Sequence, residues 1–136
     1  MNPEEKYLTR KSDWEEFHLN NPHIYEIFET EVQKDIMYLH QRGLLFITKV
    51  KLRRIFENIK WAGIQSDSKD GYLVNNDFYK FYAFQWEANH PRFVGIFEHR
   101  GYIPDSIMSL MERNQPRIEL AKHNYDVRKR AKLRIV

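Results

Sequence analysis

The chain has 136 residues, of which 42% are apolar, 15% aromatic and 30% charged. This length suits a single domain, and the composition excludes collagen-like, low-complexity and wholly disordered chains. The absence of cysteine excludes disulfides, thiolate nucleophiles and cysteine zinc sites, and a formal net charge of +3 argues against an acidic mimic of DNA.

The N-terminal residues are polar and end at a helix-start signal. We expect residues 1–11 to form a polar arm. Ser12 and Glu15 then match a capping box, in which each side chain caps the other residue's backbone. This pattern predicts a short helix over residues 13–19.

The second predicted helix has clear signals at both ends. Asn21 suits its N-cap, Pro22 suits its first position, and Gly43 suits the left-handed residue that follows a helix ending near residue 42. Apolar residues at helical spacing predict its buried stripe, which consists of Ile24, Phe28, Val32, Ile36 and Leu39.

Residues 44–47 are the longest apolar run and predict a short buried strand or an extended link. Thr48 is a suitable N-cap for a third helix over residues 49–61. The apolar face of that helix follows the spacing i, i+3, i+4, i+7, and its members are Leu52, Ile55, Phe56 and Ile59.

A hairpin is predicted next. Residues 63–65 and 71–74 flank a polar segment, residues 66–70, which suits the turn between two short strands. A basic helix followed by a hairpin is typical of a winged helix, in which the helix enters the major groove. We therefore expect a mainly α fold with a small β-hairpin, an α+β, winged-helix-like single domain over residues 12–100.

The fourth predicted helix spans residues 77–89 and is rich in aromatic residues. His90 and Pro91 mark its end, and a short helical turn over residues 93–97 is expected to follow. Core packing explains the rings most simply, and rings on more than one face also allow a homodimer through this helix. The six rings are those of Phe78, Tyr79, Phe81, Tyr82, Phe84 and Trp86.

Residues 101–136 are expected to form a C-terminal extension. A helix is predicted over residues 106–114, with Pro116 as its interruption. Residues 117–136 contain seven Lys or Arg and two acidic residues, a net charge of +5. The alternation of basic and apolar residues at the end of this segment allows an edge strand or a helical arm.

Two basic segments are candidates for nucleic-acid contact. Arginine can read guanine edges, asparagine can read adenine, and lysine mostly meets phosphate. The third helix offers Lys49, Lys51, Arg53, Arg54, Asn58 and Lys60. The tail offers Arg128, Lys129, Arg130, Lys132 and Arg134 for backbone phosphates. The alternative reading is a solvated basic helix face and a partly disordered terminus.

No pattern in the sequence predicts catalysis. The six histidines lack the spacing of a metal-binding pair, and the glycines are scattered singly rather than grouped into a phosphate-binding loop. The serines lack a nucleophile-elbow context. We therefore expect a non-enzymatic protein without a metal or cofactor.

Several short motifs form an ordered series between residues 12 and 100. The series opens with Asp13-Trp14-Glu15, continues through residues 54–61 and 73–76, and closes with residues 90–93 and 97–100. This order resembles a family of small, mostly uncharacterised phage and prophage proteins without established catalytic residues. The resemblance implies a phage-linked origin and a compact helical domain with a hairpin. The family's usual Ile-Arg-Trp is Ile59-Lys60-Trp61 here.

Together these patterns predict a DNA-binding protein of phage or prophage origin with a possible regulatory role. The alternative is a phage-encoded module that blocks a surface of a host defence protein. The acidic residues 1–6 do not suit a signal peptide, and no apolar run approaches the length of a membrane span. We expect a soluble protein in the host cytoplasm with no membrane partner.

Overall fold

The computed structural model of the chain describes residues 1–65 and 72–135. The α-helices are α1 (Pro3–Asn20), α2 (Pro22–Gln41), α3 (Leu52–Gln65), α4 (Tyr79–Asn89) and α5 (Asp105–Ile135), with short 3-10 turns at Asn76–Phe78 and Pro91–Phe93. The described residues contain no strand, and their only bridge is an isolated parallel pairing of Val50 with Phe97. The fold is therefore all-α.

The predicted hairpin and the winged-helix-like α+β architecture are wrong. Residues 63–65, predicted as its first strand, are the last residues of α3. Gly63 lies inside the helix, and its missing side chain leaves room for Tyr72, whose Cβ would lie 2.5 Å from a Cβ at position 63. Residues 72–75 follow without a partner strand, and the predicted turn at residues 66–70 lies outside the described residues.

The first helix begins earlier than predicted. The side chain of Asn2 accepts a hydrogen bond from the Glu5 amide at 2.8 Å, and Pro3 occupies the first helical position. This cap starts α1 upstream of Ser12, so the predicted helix start at Ser12 is wrong. Tyr7 is buried in the core and anchors the first turns, which is why residues 3–11 are helical.

The second helix and its C-terminal cap are confirmed. Gly43 adopts φ +68°, its amide donates to the His40 carbonyl at 3.0 Å, and the Leu44 amide donates to the Leu39 carbonyl at 2.8 Å. These two bonds form a Schellman motif, as the left-handed residue after α2 requires. All members of the predicted stripe face the core, with Ile36 half-buried.

Residues 44–47 form a tight turn, and the predicted strand is wrong. The amides of Ile47 and Thr48 both donate to the Leu44 carbonyl, at 2.9 and 3.0 Å. Phe46 adopts φ +67°, which reverses the chain and places its ring in the core. The turn delivers the chain to α3, whose predicted apolar face is confirmed, with Leu52 half-buried.

The fourth helix and its stop at His90 are also confirmed. Asn75 caps the 3-10 turn that leads into α4, because its side chain accepts from the Asp77 amide at 2.9 Å. The predicted helical turn after the stop occurs slightly earlier, at Pro91–Phe93. The rings of α4 lie in the core beside Phe28, which confirms core packing as their role.

The fifth helix continues through Pro116, so the predicted interruption is wrong. Contacts on both sides of the proline hold the helix in place. Asn114 is buried and donates to the carbonyls of Pro91 and Val94 at 2.8 and 3.1 Å, and Ile118 is buried in the core. These contacts offset the cost of a proline inside a helix, about 3 kcal/mol for the lost backbone hydrogen bond and the clash of the ring together. Of the two alternatives for the tail, the helical arm is correct.

In the part of the chain that the structure describes, no helix is both long enough and apolar enough to span a membrane.

Candidate nucleic-acid interface

Lys49, just before α3, is exposed overall, but its ammonium group is bonded to the protein. Its Nζ donates to the Gly95 carbonyl oxygen at 2.6 Å. Burial lowers the pKa of Lys49, and the nearby positive charge of Lys122 lowers it further. Lys49 therefore has one hydrogen-bond donor committed to the fold.

Two of the predicted base-reading residues on α3 are engaged by α2. Arg54 forms an ion pair with Asp35, with 2.5 Å between Nη2 and Oδ1. The Asn58 amide donates to Glu31 Oε2 at 3.3 Å. Carboxylates of α2 therefore engage one of the two arginines expected to read guanine, and the asparagine expected to read adenine.

The other cations on α3 and just before it are exposed. Lys51, Arg53 and Lys60 form no ion pair with any described residue. Glu57 lies between Arg53 and Lys60 on the helix surface at the spacing of helical neighbours, and it reduces the local positive charge. Taken alone, α3 is a weak site for a polyanion.

The C-terminal part of α5 extends beyond the core. Ile118 is its last buried residue, and Tyr125 is the last half-buried one. Every residue from 126 to 133 is exposed. We call residues 126–135 the basic arm; at 1.5 Å per residue it is about 15 Å long.

The basic arm carries the predicted cations of the tail. Lys129, Arg130 and Lys132 are exposed and form no ion pair with any residue that the structure describes. Arg128 lies against the protein, because its Nη2 donates to the Gly43 carbonyl oxygen at 2.8 Å. Arg134 belongs to α5, but its side chain lies outside the described part of the chain.

The fold brings the two basic segments together at Lys49 and Lys122, which are close enough to interact electrostatically. Lys122 was missed in the sequence, although it precedes Lys129 by two helical turns and so shares its face of α5. Arg117 was also missed; its Nη1 donates to the Arg92 carbonyl at 2.8 Å. We call Lys49, Lys51, Lys122 and the cations of the basic arm the basic surface.

The most buried titratable pair lies away from this surface. His99 Nε2 and Glu87 Oε1 are 2.5 Å apart, with side-chain exposures of 3% and 0%. A substrate cannot reach either group in this structure. Within residues 1–65 and 72–135, no group of three or more metal-ligating side chains is placed to hold a metal ion.

No family model, curated protein or solved structure matches this chain. The resemblance to phage proteins therefore stays a prediction.

Proposed function

We propose that this chain is a non-enzymatic DNA-binding protein whose main contact surface is the basic arm. The observation that carries the proposal is that Lys129, Arg130 and Lys132 are exposed and form no ion pair with any described residue. A single α-helix fits the major groove of B-DNA, and helical basic segments bind there in several DNA-binding classes.

The charges of the basic arm suit phosphate contact better than base recognition. All of its cations are lysine or arginine, and residues 126–136 contain no asparagine or glutamine, the side chains that read adenine. The basic surface extends from the arm toward the core through three further cations, Lys122 on α5 and Lys49 and Lys51 just before α3. We expect binding that depends weakly on sequence and strongly on salt.

The proposal places the protein in the host cytoplasm, where phage and host DNA are both present. Any regulatory role would follow from DNA binding. A homodimer through α4 stays a prediction; in the single chain the α4 rings Phe81, Phe84 and Trp86 are buried.

The test is fluorescence anisotropy with a short labelled duplex, titrated between about 50 and about 200 mM salt. The triple variant Lys129→Gln, Arg130→Gln, Lys132→Gln removes the exposed cations of the basic arm. Each lost phosphate contact lowers the slope of log affinity against log salt by about 1, so we expect a decrease of about 3.

A matched control removes the same net charge elsewhere. Lys6, Lys34 and Arg100 are exposed and lie outside the basic surface. Lys34 pairs with Glu31 and Arg100 with Glu98, but such surface ion pairs contribute little to stability. Their triple glutamine variant should retain duplex affinity to within about twofold, because a local contact depends on position rather than on net charge. Absence of duplex affinity at low salt, or equal losses in both triple variants, would reject the proposal.

A second candidate is a module that binds and blocks a host protein. Leu120 and Val127 are 58% and 49% exposed, and they lie two helical turns apart on α5. Exposed apolar residues on one helix face favour a protein partner. Two results together would favour this candidate. The wild type should lack duplex affinity but capture a host protein, and the double variant Leu120→Ser, Val127→Ser should no longer capture it.

A further inference from the structure

An open pocket of about 560 Å³ lies between α5 and the turn that follows α2. Its apolar lining comes from the turn and from the middle of α5. Its polar lining comes from Arg117, Asn124 and Arg128 on α5, with His40 at the end of α2. The apolar residues are Leu45, Phe46, Leu120 and Ala121.

Backbone contacts hold both arginines of the pocket in place. Arg117 donates from Nη1 to the Arg92 carbonyl, and Arg128 donates from Nη2 to the Gly43 carbonyl, each at 2.8 Å. The guanidinium carbon of Arg117 also lies 5.9 Å from the centre of the Phe46 ring. The two side chains are thus anchored on different turns, Arg117 at Pro91–Phe93 and Arg128 at Gly43, and both line the pocket.

The charge of this pocket is unbalanced. No aspartate or glutamate is among the described residues that line it. Each guanidinium uses one of its five N–H donors in the bonds above, so donors remain for a ligand. A preset arginine favours carboxylate or phosphate, because its planar fork matches their oxygen pairs and little side-chain freedom is lost on binding.

The apolar lining adds a second requirement for the ligand. Leu120 is 58% exposed, so an apolar group laid on it would be removed from water. The volume lies within the usual range for small-molecule sites, about 300 to 1,000 Å³. Phe46 keeps φ +67° at this pocket, and such left-handed backbone in a bulky residue is concentrated at ligand sites.

We propose that this pocket binds an amphiphilic anion, with a carboxylate or phosphate group held by Arg117 and Arg128 and an apolar body laid on Leu120. The inference does not rest on DNA binding. Arg128 is directed to Gly43, whereas the duplex contact is assigned to the exposed cations of the basic arm.

The test is isothermal titration calorimetry of the full chain with decanoate and with decyl phosphate, which separate the two possible anionic groups. Decanol and inorganic phosphate serve as probes that carry only one half of the proposed ligand. At least one amphiphilic anion should bind at least about tenfold more tightly than either half probe, since both the charge and the apolar body contribute.

Variants locate the site. Arg117→Gln and Leu120→Ser should each weaken binding of the preferred anion by about tenfold or more. Asn124→Asp places a carboxylate on an exposed position of the pocket and should weaken it similarly through repulsion, with little effect on folding. Lys129→Gln is the control: it should leave this affinity unchanged while it weakens duplex binding.

Three results would overturn the inference. One is the absence of heat with both amphiphilic anions at millimolar concentration. Another is equal affinity for decanol or inorganic phosphate, which would show that only one half of the ligand is recognised. The third is unchanged binding in both Arg117→Gln and Asn124→Asp. None of these results depends on duplex affinity, so the two proposals fail independently.

Discussion

At the scale of single residues, the Glu87–His99 pair is the most polar feature of the core. Glu87 lies on α4 and is fully buried, and His99 lies in the segment that follows the Pro91–Phe93 turn. Glu87 Oε2 has no hydrogen-bond partner. The pair attaches this segment to α4, and removal of one partner leaves the other polar group buried without compensation.

We expect His99→Ala to reduce the free energy of unfolding by about 3–5 kcal/mol, as measured by urea denaturation. The double variant Glu87→Met, His99→Leu should recover part of that loss, because it removes both buried polar groups. The control variant Glu98→Gln alters an exposed neighbour, and its free energy of unfolding should stay within about 0.5 kcal/mol of the wild-type value. A loss below about 1 kcal/mol in His99→Ala would show that the pair contributes little.

His18 provides a pH-dependent contribution to stability. Its ring stacks on Trp14 with 5.1 Å between ring centres, and burial lowers the pKa of His18. The folded state therefore binds the proton more weakly than the unfolded state, so stability falls as the pH drops below the unfolded pKa and levels off below the folded pKa.

Urea unfolding measured from about pH 7.5 down to about pH 5 should show this loss. In His18→Gln the decrease over the same range should be smaller, whereas His123→Gln, which removes an exposed histidine of α5, should keep the wild-type decrease. Identical pH profiles for the wild type and His18→Gln would contradict the assignment.

At the scale of elements, the end of α2 joins local and distant structure. The Schellman motif at Gly43 follows from the sequence, because glycine adopts left-handed backbone without a steric cost. The same glycine also carries the carbonyl that accepts from Arg128. A Cβ at position 43 would lie 2.7 Å from Arg128 Nη2, so the cap leaves room for the arginine.

Two alanine substitutions separate these roles. Gly43→Ala and Gly101→Ala both place a side chain at positive φ, which costs about 1–2 kcal/mol. A Cβ at position 101 meets nothing within 4 Å. We expect the free energy of unfolding, measured by urea denaturation, to fall by about 1 kcal/mol more in Gly43→Ala than in Gly101→Ala, because Gly43→Ala also displaces Arg128. Equal losses would show that the Arg128 contact adds no stability.

At the scale of the whole molecule, charge is divided between the core and one projecting helix. Residues 117–136 carry a net charge of +5 and residues 1–116 a net charge of −2. The first half of α5 packs on the core through Ile107 and Ile118, whereas the basic arm is exposed and is joined to the rest of the described structure by the Arg128 hydrogen bond to Gly43. Stability and the proposed polyanion binding therefore depend on different parts of α5.

A chain that ends at Val127 should keep the fold and lose duplex affinity. We expect its free energy of unfolding to fall by no more than about 1.5 kcal/mol, the contribution of the Arg128 hydrogen bond. Circular dichroism during urea denaturation measures the stability, and anisotropy measures the binding. Global unfolding of this shortened chain would show that the basic arm supports the core.

The candidate interface was only partly predictable. Hydrophobic spacing placed Arg54 and Asn58 on the surface of α3, which is correct. Their partners Asp35 and Glu31 lie on α2, and no local pattern indicates how two helices pack against each other. Lys122 could have been found from its helical spacing to Lys129, but its approach to Lys49 depends on the fold.

The amino-acid sequence by itself determined the elements whose signals are local. The apolar stripes of α2 and α3, the Gly43 cap and the end of α4 each depend on residues within a few turns of one another. Tertiary structure alone decided the continuation of α3 past Gly63 and of α5 past Pro116. At Pro116, the Asn114 hydrogen bonds to the carbonyls of Pro91 and Val94 hold the helix, because packing and hydrogen bonding can exceed the cost of a proline. At Gly63, the small cost of a glycine is tolerated where Tyr72 packs too closely for a side chain.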